Sequence, residues 1–322
     1  MIKPIGGYFE WEFPANNGSF PHSDGVLLNS GRHSLEYILK SLGTIERLWI
    51  PYYTCDVVLQ PIERLGIPYS FYRINKNFTL TEEVTLSEGE YIIYTNYFGM
   101  MDAYCEEMAK HYGNQLILDC AQAFFAPWIE GINTFYSPRK FVGIPDGGIA
   151  YANNRSSLEL PKDHSYGKCA HLLKRHDLTP MDGYNDFKES SHKIGLSPLS
   201  SMSTLTQKML SSLDYEAIKQ RRLTNFTLLH TYLAVSNELQ MPSLDSFSCP
   251  MVYPYYTKDS ELRKRLISSQ VFVATYWPNV IQWTLKGDVE YDLSENIIPI
   301  PVDQRCNEED MIRIVKVISS SN

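Results

Sequence analysis

The 322-residue sequence holds six cysteines, and no two of them form a CxxC pair. Cys55, Cys105, Cys120, Cys169, Cys249 and Cys306 are spread widely, which removes the usual zinc and dithiol redox motifs. No stretch reaches the roughly eighteen apolar residues of a membrane span. Met1 to Pro14 has no apolar core of signal-peptide length. A cytoplasmic protein with reduced thiols is the expectation. Positive charge is also in short supply: 29 Lys and Arg against 37 Asp and Glu give a net charge of −8. An acidic total disfavours nucleic acid as a partner, while a local pocket can still be positive and take a small anion. No G-x-G-x-x-G lies between a strand and a helix, which excludes a nicotinamide-binding dehydrogenase. Internal repeats and low-complexity tracts are absent.

What remains is a globular composition, 43% hydrophobic and 20% charged, with 22 tyrosines suited to interior and interface packing. The length fits one large domain plus a smaller one. Strand-like runs at Val26–Asn29, Leu48–Tyr53, Tyr69–Ile74, Tyr91–Thr95 and Gln115–Leu118 alternate with helix-period segments. Leu35, Ile38, Leu39 and Leu42 make one helix face; Val58, Ile62 and Leu65 make another; Asp102 to Tyr112 is a third helix, closed by Gly113. The alternation predicts an α/β fold with a mostly parallel sheet, in which ligands collect at the carboxyl ends of the strands. Asn153 to about Ser200 reads as a long polar connection interrupted by prolines. Met202 to Leu239 has helical character. Strands at Met251–Tyr256, Val271–Tyr276 and Ile297–Val302, with helices over Asp259–Ser269 and after Asn307, suggest a second unit. The expected division is a large domain over 1–240 and a small C-terminal α/β domain over 241–322.

Three segments carry chemistry. In Leu116-Ile117-Leu118-Asp119, a carboxylate emerges at a strand end, with Gln122 close behind. In Ser137-Pro138-Arg139-Lys140, a hydroxyl and an amine precede the turn Asp146-Gly147-Gly148. In Asn29-Ser30-Gly31-Arg32-His33-Ser34, a polar loop opens a helix, and free N–H groups there seat a phosphate. A phosphate seat, a lysine and a strand-end aspartate are what pyridoxal 5'-phosphate needs. The lysine bonds the aldehyde, and the carboxylate keeps the pyridine nitrogen protonated so that the ring takes up electrons. Taken singly, each has a plainer reading: a turn cap, a solvated charge, a tight turn.

Order and spacing lift the combination. The run from Tyr91 to Asn153 resembles the DegT/StrS-type sugar aminotransferases, a branch of the aspartate aminotransferase (fold type I) family. Asp119-x-x-Gln122, Lys140 and Asp146-Gly147-Gly148 stand in that family's order. Asn96-Tyr97-Phe98-Gly99, the Ser30-Gly31 loop, Ile50-Pro51-Tyr52-Tyr53-Thr54 and the closing strand and helix are similar to further family segments. The resemblance implies a fold type I transferase dependent on pyridoxal phosphate, working as a homodimer on small molecules. These would be glutamate as amino donor and a nucleotide-linked keto sugar as acceptor, for surface-glycan or antibiotic-type sugar biosynthesis. It implies that Lys140 bonds the cofactor and shuttles the proton, that Asp119 meets the pyridine nitrogen, and that Gln122 faces the ring. Gly31, Arg32, His33 and Ser137 would surround the phosphate, with Asn96 also at the cofactor. Arg32 stands where the family has Thr, and Cys55 falls near the usual ring-stacking aromatic, so either Tyr52 or Tyr53 stacks in its place or nothing does. The rival readings are a lyase or sugar dehydratase of the same fold, against which the retained Lys140 counts, and a non-catalytic relative.

Overall fold

In the computed structural model, residues 5–14, 19–154 and 158–320 are described. The first half runs β1 (Val26–Leu28), α1 (Gly31–Ser41), β2 (Arg47–Pro51), α2 (Leu59–Arg64), β3 (Tyr69–Tyr72), β4 (Glu90–Thr95), α3 (Asp102–Tyr112), β5 (Leu116–Cys120), β6 (Asn133–Tyr136) and β7 (Gly148–Tyr151). Helices α4 (Ala170–Asp177), α5 (Pro180–Leu196), α6 (Thr204–Ser211) and α7 (Tyr215–Leu233) follow. The chain closes with β8 (Val252–Tyr256), α8 (Leu262–Ser268), α9 (Pro278–Trp283), α10 (Val289–Asn296), β9 (Ile297–Pro301) and α11 (Glu308–Ser319).

The first seven strands form one sheet in the order β1-β7-β6-β5-β4-β2-β3. Strands β6, β5, β4, β2 and β3 are parallel, and β7 runs against both of its neighbours. All five residues of β5 are buried, as the unbroken apolar run of a central parallel strand requires. Its alternate side chains feed two cores. Ile117 joins Leu35, Ile38 and Leu39 of α1 on one face. Leu116 and Leu118 join the other face, which continues without a break through Tyr253, Leu293, Ile300 and Met311. Each such side chain contributes about 1.5–3 kcal/mol on burial. Strands β8 and β9 pair antiparallel as a separate ribbon, covered by α7, on which α11 packs in turn. Asn307 caps α11 with a full capping box to Asp310.

Three expectations change. The stretch read as an irregular connection holds α4 and the 17-residue α5. Pro180 does not break this helix; it starts it, at the first turn, where its missing N–H costs nothing. Thr179 and Asp182 supply the capping box ahead of it. Residues 155–157 of that stretch lie outside the described residues. Val271–Tyr276 forms no strand and joins no sheet, so the C-terminal ribbon has two strands instead of three. The helical stretch over 202–239 is two helices, broken around Leu213, with Asp214 capping the second.

Candidate active site

The parallel strands β2, β4 and β5 end together, and buried polar atoms gather there. Tyr53 follows β2, Thr95 ends β4, and Gln122 follows β5. The Tyr53 hydroxyl, Thr95 Oγ1 and Gln122 Nε2 are each buried without a hydrogen-bond partner among the described residues. Unsatisfied buried polar atoms are rare, and three of them at one sheet edge point to a missing partner. This edge is where a parallel sheet takes its ligands.

Asp119 lies among them, 5% exposed. Its Oδ1 accepts from the Ala121 N–H at 2.9 Å. Burial pushes its carboxyl above the ordinary value, against the pull of the Lys140 ammonium, the Ala121 N–H and the neighbouring Thr95 hydroxyl. Thr95 favours the carboxylate by proximity, since its oxygen stands outside hydrogen-bond geometry. Lys140 ends the short 3₁₀ turn Pro138–Lys140 after β6, with its side chain exposed. Its charge also acts on Cys55, whose thiol is raised by burial.

The start of α1 forms a cradle beside this turn. Ser30 caps the helix, its Oγ accepting from the His33 N–H, and the first turn carries no acidic side chain. A β-carbon on Gly31 would come within 3.0 Å of Ser137 Cβ, so glycine lets the hydroxyl residue sit against the helix start. Gly147, at φ +117°, donates its N–H to the Asn29 carbonyl at 3.0 Å and holds the loop in place. Asp146 anchors that turn from below. It is buried and accepts from Ser165 Oγ (2.6 Å), Thr206 Oγ1 (2.5 Å) and Lys168 Nζ (2.8 Å).

Several residues singled out in the sequence do other work in this arrangement. His33 Nε2–H donates to the Ser197 carbonyl at 2.9 Å, so Nδ1, 2.7 Å from Ser30 Oγ, is left as the acceptor. Burial lowers its pKa to about 4. The ring is thus neutral and fully engaged, and offers no cation to a phosphate. Asn96 spends its side chain on the start of α3, accepting from the Met101 N–H at 2.9 Å and donating to Asp102 Oδ1 at 2.6 Å. Arg32 Nη1 donates to Gln60 Oε1 at 2.8 Å, beside Cys55 and Asp56, which offset the effect of its burial. Gln122 Oε1 accepts from the Phe98 N–H at 2.9 Å, leaving only Nε2 open. Tyr52 stacks on Phe71 at 4.5 Å, and Tyr53 is enclosed by Tyr97 and Trp277.

A cavity of about 570 Å³ with Lys140 in its wall opens between the Lys140 turn, the α4–α5 pair and the segment after β9. Arg139, His171, Arg175, Phe187 and Arg305 are among its walls. Arg139 donates to Ser191 Oγ at 3.0 Å and stands 4.7 Å over the Phe187 ring. Its Nε and Nη2 are buried without a partner, and burial lowers its pKa to about 10. Sequence reasoning assigned this arginine no role of its own and offered Tyr53 only as a candidate to stack on the cofactor ring. An arginine directly before Lys140 was the available signal.

No family model matches the chain, and no curated protein matches it. Solved structures do. The sugar aminotransferase CalS13 from Micromonospora echinospora is 15% identical, with a TM-score of 0.63 over 92% of this chain and 87% of that one. A DegT DnrJ EryC1 StrS aminotransferase from Brucella abortus is 13% identical, with a TM-score of 0.62 over 92% and 85%. NtdA from Bacillus subtilis, solved with the bound cofactor PMP, is 13% identical, with a TM-score of 0.63 over 92% and 72%. The chain shares their fold: an α/β architecture with a mainly parallel seven-stranded sheet between helices. Among the described residues, no helix is long and apolar enough to cross a membrane.

Proposed function

We propose that this chain is a pyridoxal phosphate-dependent aminotransferase that moves an amino group from glutamate to a nucleotide-linked keto sugar. The observation that carries the reading is the convergence of Asp119, Lys140 and the Gly31–Ser137 cradle at a sheet edge already crowded with unpartnered buried polar atoms. The residues fit the cofactor: the cradle is a phosphate seat, Asp119 a partner for the pyridine nitrogen, and Gln122 Nε2 a free donor. Structural neighbours named as sugar aminotransferases, and one holding PMP, support the same reading.

Pyridoxal phosphate, when bound, supplies an aldehyde that condenses with amines and a ring that accepts electron density. The N–H groups opening α1 and the Ser137 hydroxyl bind the phosphate, and Gly31 keeps the approach open. Asp119 holds a proton at the pyridine nitrogen; its high carboxyl pKa falls once a cation lies opposite. Lys140 Nζ carries the proton between reacting atoms, which its place between Asp119 and the open cavity permits. Arg139 and Arg175 give that cavity a positive wall for the anionic part of an acceptor, while Arg305 is paired to Asp303.

In this reading residues 1–240 hold the cofactor and 241–322 form the smaller unit. The active form is a homodimer in the cytoplasm, acting in surface-glycan or antibiotic-type sugar synthesis. All six cysteines are unpaired, which suits a reducing compartment. The homodimer is supported by α4, which buries no residue, and by Leu178, Met181 and Tyr184, all more than half exposed. The deciding experiment is a half-reaction. Protein loaded with pyridoxal phosphate should gain a visible band, lose it on addition of glutamate, and release 2-oxoglutarate. A band insensitive to every amino acid yet perturbed by nucleotide sugars would favour a dehydratase or lyase.

A further inference from the structure

The largest fully buried side chain near Lys140 is a cation that spends itself on neutral oxygens. Arg222, on α7, is 2% exposed. Its Nη2 donates to the Phe141 carbonyl at 3.0 Å, its Nη1 to the Met251 carbonyl at 3.0 Å, and its Nε to Gln304 Oε1 at 3.1 Å. The guanidinium also stands 4.7 Å over the Phe141 ring. Gln304 Nε2 reaches the same Phe141 carbonyl at 2.9 Å. Phe141 directly follows Lys140. Met251 enters β8, and Gln304 follows β9.

Burying a charge is costly, and an apolar side chain of similar volume packs as well or better. A planar fork with several fixed donors does what an apolar side chain cannot: it ties separate backbone segments to one another. Here the tied segments are the turn that carries Lys140 and one end of the C-terminal ribbon, where β8 begins and β9 finishes. We propose that Arg222 is a positioning residue for Lys140: with Gln304 it clamps the Phe141 carbonyl to the C-terminal ribbon and sets the backbone from which the lysine reaches its site. The clamp rests on the reading of Lys140 as the working amine. It makes the C-terminal ribbon part of the site's alignment without any of its residues touching the reacting atoms.

The test compares full-length Arg222→Met, Arg222→Lys and Gln304→Ala with the unaltered chain. Without cofactor, peptide-resolved hydrogen exchange reads the amides of 139–142, and mass spectrometry reads the acylation rate of Lys140. In Arg222→Met, exchange at 139–142 should rise about tenfold while the amides of β5 stay protected. With pyridoxal phosphate and glutamate, kcat should fall about tenfold with KM moved less than about twofold. Arg222→Lys should recover part of both effects, and Gln304→Ala should show a smaller change of the same kind. Unchanged exchange at 139–142, or an equal rise throughout β5, would overturn the clamp and leave Arg222 a general packing residue. If Arg222→Met does not fold, Gln304→Ala decides, because it removes only one of the two donors to that carbonyl. A chain that never transfers an amino group would refute the aminotransferase reading, while the cofactor-free exchange would still decide the clamp.

Discussion

Gly148 faces Ser30 with no room for a β-carbon: an ideal one would lie 2.2 Å from both the carbonyl carbon and the carbonyl oxygen of Ser30. The obstacle is backbone, so it cannot rotate away. Because Ser30 caps α1, any relief moves the helix start that forms the phosphate cradle. Gly148→Ala should therefore cost about 3 kcal/mol of stability and weaken cofactor binding together. Gly143→Ala is the control, since its nearest obstacle is a Leu172 methyl 4.0 Å away. Urea unfolding with a pyridoxal phosphate titration checks both; equal behaviour of the two variants would refute the close approach.

Lys140→Ala should leave stability within about 0.5 kcal/mol, because the side chain is exposed and packs little. It should abolish covalent capture. Borohydride reduction of the loaded unaltered protein should leave the label on Lys140, read by peptide mapping. Label on another lysine would remove Lys140 from the proposed role.

Asp119→Asn should separate function from stability. The folded carboxyl pKa is raised by burial, so the folded chain holds that proton more tightly than the unfolded chain does. Its favourable contribution is present at low pH and is lost as pH rises through the folded value. At pH 7 the buried carboxylate is thus a burden on the cofactor-free protein, and the amide relieves it. The melting temperature without cofactor should rise, while turnover falls about tenfold to a hundredfold with the loss of a charge-assisted bond. A lower melting temperature would mean that the Ala121 and Thr95 contacts outweigh burial.

His22 and His33 are both lowered by burial to about 4 from an ordinary 6.5. Protons then bind the unfolded chain more readily than the folded one. The stability tied to the neutral rings is complete above about pH 6.5 and drains away as pH falls toward 4. Together they should remove on the order of several kcal/mol across that window. Unfolding midpoints from pH 7.5 to 5 check this, and His22→Gln with His33→Gln should flatten the slope. An unchanged slope would place the acid sensitivity elsewhere.

Helices α1, α3 and α11 were legible because each buries a periodic face, and β5 because its short apolar run ends in a carboxylate. Helices α4 and α5 were not. The first buries no residue and the second only Gly183, Ser190 and Ile194, so there was no apolar stripe to read. At the site, Asp119 and Lys140 stood out because a strand end and a following turn are local signals. The occupation of His33 was hidden, since its carbonyl partner Ser197 lies far along the chain. The same distance concealed Arg222 and the oxygens it joins. Tyr53 was readable only as a candidate for ring stacking until the fold enclosed its ring and left its hydroxyl without a partner among the described residues.

The reversed strand β7 also carries a message about timing. Residues 29–31 meet residues 137–148 only once β7 has slipped between β1 and β6. A ribosome must therefore have released more than a hundred residues beyond the helix start before the cradle can exist at all. Contacts this remote in sequence close slowly. Until they close, α1 has its apolar face but no sheet beneath much of it, and the growing chain depends on avoiding premature association. If the proposed phosphate seat is right, a cofactor held at that late junction would favour the finished chain over every shorter one.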